Sequence, residues 1–99
     1  MPDIAALLQR GLTAHRAGRD GDAAACYARV LARRPAQADA LYLLALVRLG
    51  QLGQRAEALA EATGLLRRAV AAQPGFALAQ FRLGDALAAA GQAPGAIAA

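Results

Sequence analysis

The sequence predicts an all-α chain built from short helices of similar length. Three observations lead to this fold class. Alanine is the commonest residue and leucine the next, while β-branched residues are few, which is a helix-forming composition. Apolar residues recur at helical spacing, and no segment alternates with a period of two for long enough to indicate a strand. Glycine and proline are spaced out along the chain, as breaks between helices rather than as a flexible tract.

Two helices are predicted before the first internal proline. The apolar face of the first helix comprises Ile4, Leu7, Leu8 and Leu12. The segment 18–21 interrupts it, and Asp20 or Asp22 is expected to cap the second helix by accepting a hydrogen bond from a free backbone N–H. The apolar face of the second helix comprises Ala23, Cys26, Tyr27, Val30 and Leu31. Pro35 ends this helix, because proline disfavours helical geometry in the residue before it.

Three further helices follow, and a sixth begins near the end of the sequence. The third is predicted over about 38–49, where Leu41, Leu44, Ala45 and Arg48 recur at helical spacing. The fourth covers about 55–72 and stops before Pro74, and the fifth covers about 76–90 and stops at Gly91. Pro94 fits the first turn of the sixth helix, where its missing N–H costs nothing.

The sequence also repeats itself. Three pairs of small residues are separated by one and the same interval, namely Gly11 and Gly84, Gly18 and Gly91, and Ala23 and Ala96. The length of this interval equals the sum of two shorter intervals, the one from Gly11 to Ala45 and the one from Pro35 to Pro74. The second of these two is the longer. The simplest account is a repeat unit as long as the interval from Gly11 to Ala45, whose second copy carries five extra residues. The extra residues fall between Ala45 and Ala62.

A helix–turn–helix unit of about 34 residues is the period of the tetratricopeptide repeat. The interval from Gly11 to Ala45 matches this period, and the sequence resembles the family over its whole length. The small residues of the family signature are matched by Gly11, Ala23, Ala45, Ala62, Gly84 and Ala96. Its large apolar residues and its prolines are matched by Leu7, Tyr27, Leu41, Leu44, Leu66, Leu83, Pro35 and Pro74. Arg10 and Gln80 depart from the signature.

The resemblance implies a right-handed α-solenoid of antiparallel helix pairs, with about two and a half repeats in a single domain, 1–99. The repeats are expected at 4–37, at 38–76 with the five-residue insertion, and at 77–99, where the third copy is incomplete. In an incomplete third copy, Phe81, Leu83 and Leu87 are expected to be partly exposed. We therefore expect either a longer protein or self-association through this open C-terminal end.

The resemblance further implies a concave groove for a peptide, lined mainly by the first helix of each pair. Its positions are Leu8, Leu12, His15 and Arg16 in the first copy, Asp39, Tyr42, Leu46 and Leu49 in the second, and Leu78, Phe81, Arg82 and Asp85 in the third. We expect a mostly apolar groove with Tyr42 and Phe81 as its aromatic pair, which suits an amphipathic helix or an apolar peptide. The alternative is that several of these leucines only pack against neighbouring repeats.

Some members of the family use lysine and asparagine in this groove to clamp a C-terminal carboxylate. The matching positions here are Leu8, Leu12, Leu43 and Leu78, with a positive charge kept only at Arg82. This departure argues against a carboxylate clamp.

No catalytic constellation is evident. The chain contains no serine, asparagine, lysine or tryptophan, which excludes a serine nucleophile activated by histidine or lysine. Cys26 and His15 could form a nucleophile–base pair, but Cys26 lies on the apolar stripe of its helix, which favours a buried structural thiol. One cysteine and one histidine are too few ligands for a zinc site. We therefore expect no enzymatic activity, no metal and no cofactor.

The charge pattern bears on the partner and the compartment. All eleven basic residues are arginines, scattered among seven acids, which indicates solvated helix faces and no nucleic-acid partner; a basic surface for RNA is the weaker alternative. The single cysteine favours a reducing, cytoplasmic compartment. The N-terminus lacks a signal-peptide pattern, and the most apolar run, 40–47, is too short to span a bilayer, so no membrane partner is expected.

These observations favour a scaffold that binds a protein or peptide. The bias towards arginine and alanine suggests a GC-rich bacterial genome, which would place the scaffold in a bacterial cytoplasm. The alternative is the N-terminal repeat region of a larger bacterial multidomain enzyme, such as a glycosyltransferase, a sulfotransferase or a hydroxylase.

Overall fold

The computed structural model describes residues 3–52 and 55–92, and these residues form five helices and no strand. The helices are α1 (Ile4–Arg16), α2 (Asp20–Arg33), α3 (Ala38–Leu52), α4 (Ala56–Ala72) and α5 (Ala77–Gln92). The five helices predicted from the sequence are confirmed, and the largest difference in an end position is three residues, at the C-terminus of α3. The sixth predicted helix, at Pro94, lies outside the described residues. None of the five helices has the length and apolarity needed to cross a membrane.

Each helix packs against the helix that follows it in the chain. Three residues separate α1 from α2 and α3 from α4, while four residues separate α2 from α3 and α4 from α5. Connections this short force consecutive packed helices to run antiparallel. The second pair is longer than the first, because α3 has 15 residues against 13 in α1 and α4 has 17 against 14 in α2. Together α3 and α4 are thus five residues longer than α1 and α2, while the connections within the two pairs have the same length.

The turn between α2 and α3 has the same backbone geometry as the turn between α4 and α5. In both turns the residue after the helix donates its N–H to a carbonyl oxygen in the last helical turn. The carbonyl oxygen of the same residue accepts the N–H of the residue three positions later. These bonds are Arg34 to Val30 (2.8 Å), Gln37 to Arg34 (3.0 Å), Gln73 to Ala69 (2.9 Å) and Phe76 to Gln73 (3.0 Å). The φ and ψ angles also agree, at −134° and 86° for Arg34 and −141° and 87° for Gln73. The two turns are separated in the sequence by the same number of residues as Pro35 and Pro74.

Gly11 and Tyr27 mark a very close approach of α1 and α2. Both residues are buried, and a Cβ atom built at Gly11 would lie 2.5 Å from Cε1 of Tyr27. The phenol ring therefore occupies the space that a side chain at position 11 would need. In the second pair the aligned residues Ala45 and Leu66 are fully buried in one cluster, so a small and a large residue are again combined.

The core is apolar and extends from α1 to α5. Its main cluster comprises Ala14, Ala23, Ala24, Tyr27, Leu41, Tyr42, Leu44, Ala45, Val47, Ala62, Leu65, Leu66, Ala69, Ala79 and Ala86. A smaller cluster joins Leu7 of α1, Val30 of α2 and Ala40 of α3. Burial of these side chains, rather than helix propensity alone, holds helices of this length in place.

The start of α2 differs from the sequence prediction. Arg19 is the N-cap residue, and no side chain accepts a hydrogen bond there. Oδ1 of Asp20 lies 3.2 Å from Nδ1 of His15, and Oδ2 of Asp22 lies 3.5 Å from Nε of Arg19. The prediction that Asp20 or Asp22 caps α2 was wrong, because both carboxylates face other side chains. A side-chain cap is present at α1, where Oδ1 of Asp3 accepts a backbone N–H at 2.7 Å.

Replacing Gly11 with alanine tests the approach of α1 and α2. Gly11→Ala should lower the free energy of unfolding by about 2 kcal/mol, because overpacking against Tyr27 outweighs the higher helix propensity of alanine. Gly64→Ala is the matched control, since a Cβ built there meets no atom within 4 Å apart from its chain neighbours and the backbone of its own helix, and it should raise stability by about 1 kcal/mol. Urea denaturation of both variants measures the difference. A stabilising Gly11→Ala would contradict the close contact.

Tyr27 makes stability depend on pH in the alkaline range. Its hydroxyl is buried without a hydrogen-bond partner among the described residues, and burial, with a smaller contribution from Cys26, raises the pKa of Tyr27 above 10.0. The unfolded chain therefore loses this proton first, so the folded state should lose stability as the pH rises above about 10. Tyr27→Phe should abolish this loss and stabilise the chain by about 1 kcal/mol at neutral pH. Urea denaturation across pH 7 to 11 measures both effects, and a destabilised variant would contradict the unpaired hydroxyl.

Candidate functional site

Side chains from α1, α3 and α5 line one apolar groove of about 300 Å³. The lining residues are Leu8 and Leu12 of α1, Asp39, Tyr42 and Leu43 of α3, Phe76 of the turn before α5, and Leu78 of α5. Five of them are groove positions predicted from the sequence, namely Leu8, Leu12, Asp39, Tyr42 and Leu78. The structure thus brings together residues of α1, α3 and α5, which are not consecutive in the chain.

The aromatic part of the lining is a contact between Tyr42 and Phe76. Their ring centroids lie 5.1 Å apart with an interplanar angle of 47°, a tilted arrangement that aromatic pairs favour. Tyr42 is buried against the core and Phe76 is half-buried. Both rings are therefore held in position before anything enters the groove.

The expected aromatic pair of Tyr42 and Phe81 is not formed. Phe76 is the aromatic neighbour of Tyr42, whereas Phe81 is 64% exposed and its ring centroid lies 5.9 Å from the guanidinium carbon of Arg82. The reason is geometric. Phe76 belongs to the turn that delivers the chain into α5, while Phe81 lies more than one helical turn further along. The sequence prediction assigned groove positions only to helices and so missed a residue in a turn.

Apolar surface continues from the groove along α5. Leu78 is 59% exposed and lies three residues from Phe81, so both side chains project from one face of the helix. Arg82 and Asp85 follow on the same face one turn further along, with Nη1 of Arg82 4.0 Å from Oδ2 of Asp85. Leu87 is also exposed, but it lies nine residues from Leu78 and hence half a helical turn away, on the opposite side of α5.

The remaining predicted groove residues lie elsewhere. Leu46 and Leu49 are half-buried and pack against the core, which agrees with the alternative that some of these leucines serve packing. His15 is half-buried beside Asp20, and Arg16 is exposed near the end of α1. None of these four residues lines the groove.

Cys26 lies in a different environment from the one expected. It is half-buried rather than buried, because the buried positions of α2 are Ala23, Ala24, Tyr27 and Val30, and Cys26 borders this set. Its side chain lines a separate pocket together with charged residues of α1 and α2. Within 3–52 and 55–92, no three side chains of His, Cys, Asp or Glu come together as metal ligands.

The sequence matches no model of a known protein family and no curated protein. The function must therefore be inferred from the groove itself. Its lining is apolar except for the exposed carboxylate of Asp39, its two aromatic rings are pre-positioned, and two large apolar side chains extend it along α5.

A double-mutant cycle tests the aromatic contact of the groove. Tyr42→Leu and Phe76→Leu should show a coupling free energy of about 1 kcal/mol, because each ring loses its partner when the other is replaced. Tyr42→Leu combined with Phe81→Leu is the matched control, and its coupling should be within about 0.4 kcal/mol of zero. Chemical denaturation of the variants provides the free energies. Equal coupling in both cycles would contradict the contact.

Proposed function

We propose that this chain is a protein-interaction module of tetratricopeptide-like repeats, and that its groove binds an amphipathic helix or apolar segment of a partner protein. The observation that carries the proposal is the common groove of α1, α3 and α5, the first helices of successive pairs, with exposed Leu78 at its edge and exposed Phe81 beside it. Such an arrangement is typical of the groove into which an amphipathic helix places its apolar face.

The backbone supports the repeat arrangement in this proposal. Asp3, Gln37 and Phe76 immediately precede α1, α3 and α5, and each carbonyl accepts the N–H of the residue four positions later at 3.0–3.1 Å. The intervals between these three residues are the two intervals of the sequence repeat, first the shorter and then the longer. Together with the recurring turn and the packing of each helix on the next, they support a right-handed solenoid of stacked helix pairs.

The size of the groove limits what it holds. A volume of about 300 Å³ is at the lower end for ligand sites and accommodates one or two large apolar side chains, not a whole peptide. A partner helix would therefore insert such anchors between α1 and α3 and rest the adjoining turn on Leu78 and Phe81. Buried, pre-positioned rings such as Tyr42 lose little freedom on binding, which favours affinity.

The proposal is tested with short randomised peptides displayed on phage and selected on the purified chain. Selected peptides should be rich in apolar residues at helical spacing. Leu78→Gln and Phe81→Gln should each weaken their binding by about tenfold, because each removes exposed apolar surface beside the groove. Leu87→Gln is the matched control, since it removes similar surface from the opposite side of α5, and it should leave the affinity unchanged.

Tyrosine fluorescence provides an independent readout of the same binding. The chain has two tyrosines and no tryptophan, so in a Tyr27→Phe background Tyr42 is the only tyrosine and reports occupation of the groove. Selected peptides without tyrosine or tryptophan should change its emission. Absence of any selected peptide, or equal weakening by Leu87→Gln and Phe81→Gln, would reject the proposed function.

A further inference from the structure

A second pocket, of about 400 Å³, lies between α1 and α2 and is lined mainly by charged side chains. Arg10 projects into it from α1, Arg19 from the turn, and Asp22, Cys26 and Arg29 from α2. The three arginines are well separated in the sequence, so they form no basic run. Antiparallel packing of α1 against α2 brings them around one pocket.

The charges of this pocket are not balanced. Asp22 is its single acidic lining residue, and it faces Arg19 at 3.5 Å with both side chains well exposed. The side chains of Arg10 and Arg29 have no hydrogen-bond or ion-pair partner among the residues that the structure describes. The lining therefore carries three arginines and one carboxylate, and this excess of positive charge favours an anion.

We propose that this pocket binds a compact oxyanion carrying at least two negative charges, either a phosphate-bearing or a polycarboxylate metabolite. Guanidinium groups present planar pairs of N–H donors, which match the oxygens of phosphate and carboxylate groups. The three arginines belong to two helices and the turn that connects them, so an anion in the pocket would be approached from more than one side. The pocket shares no lining residue with the apolar groove, so this site is independent of the proposed peptide binding.

The experiment uses the full chain at low ionic strength, because exposed charges are screened by salt. Inorganic phosphate, pyrophosphate and citrate are titrated in turn while the chloride concentration is held constant. Nuclear magnetic resonance follows the backbone amides and the Nε–H groups of the arginines. Signals of Arg10, Arg19 and Arg29 should shift and saturate. Tighter binding of pyrophosphate would indicate a phosphate-bearing ligand, and tighter binding of citrate a polycarboxylate.

Cys26 provides a second readout, because its thiol lines the pocket. Alkylation by N-ethylmaleimide, a neutral reagent, should become slower as the anion fills the pocket. The protection should saturate at the same anion concentrations as the shifts in the nuclear magnetic resonance titration. A neutral reagent is required because an anionic one would itself compete for the arginines.

Matched variants decide whether the site is specific. Arg10→Gln combined with Arg29→Gln should raise the dissociation constant of the tighter probe by about tenfold. Arg55→Gln combined with Arg67→Gln removes the same charge from two exposed positions, one directly before α4 and one in it. This double variant should leave the dissociation constant nearly unchanged. Circular dichroism verifies that all variants are folded.

Three results would overturn the proposal. The first is the absence of saturable shifts with every probe, and the second is an equal effect of the two double variants, which would indicate a diffuse response to net charge. The third is tighter binding of a short RNA oligomer than of pyrophosphate or citrate at the same arginines, which would assign the surface to nucleic acid.

Discussion

The contact of the Tyr27 ring with the backbone at Gly11 determines how α1 lies on α2, and much of the structure depends on it. Because position 11 carries no side chain, the ring fits between the two helices. The same packing places Leu7 against Val30 and Ala40, which joins the first helix pair to α3. It also leaves Leu8 and Leu12 of α1 to line the groove. A longer distance between α1 and α2 would alter both pockets at once.

The connections between pairs are as important for the groove as the helices. Proline at equivalent places in two turns stops α2 and α4, and the recurring hydrogen bonds then direct the chain into the next helix. Phe76 is the last residue of such a turn, so the backbone geometry that begins α5 also delivers an aromatic ring to Tyr42. A residue of a turn thus lines the groove in addition to connecting two helices.

Helix α1 contributes to two sites of opposite chemistry. Leu8 and Leu12 line the apolar groove, while Arg10 and Ala14 line the basic pocket on another face of the same helix. Successive residues are rotated by about 100°, so positions two apart project in nearly opposite directions. A partner segment and an oxyanion would therefore occupy separate surfaces. Any coupling between them would pass through the packing of α1, whose position rests on the Gly11 contact.

Local chemistry explains what could be predicted from the sequence. Helical hydrogen bonds span four residues and proline acts on its immediate neighbour, so the five helices followed from apolar spacing and from breaks such as Pro35 and Pro74. The groove positions came instead from the resemblance to the tetratricopeptide repeat, and five of them are among the seven residues that line the groove. The tertiary structure alone decided the contacts between segments, namely Tyr42 with Phe76, His15 with Asp20, and the convergence of Arg10, Arg19 and Arg29 beside a half-buried Cys26. These contacts depend on how each helix is rotated against its neighbour, which is set by packing between distant residues and not by any local pattern.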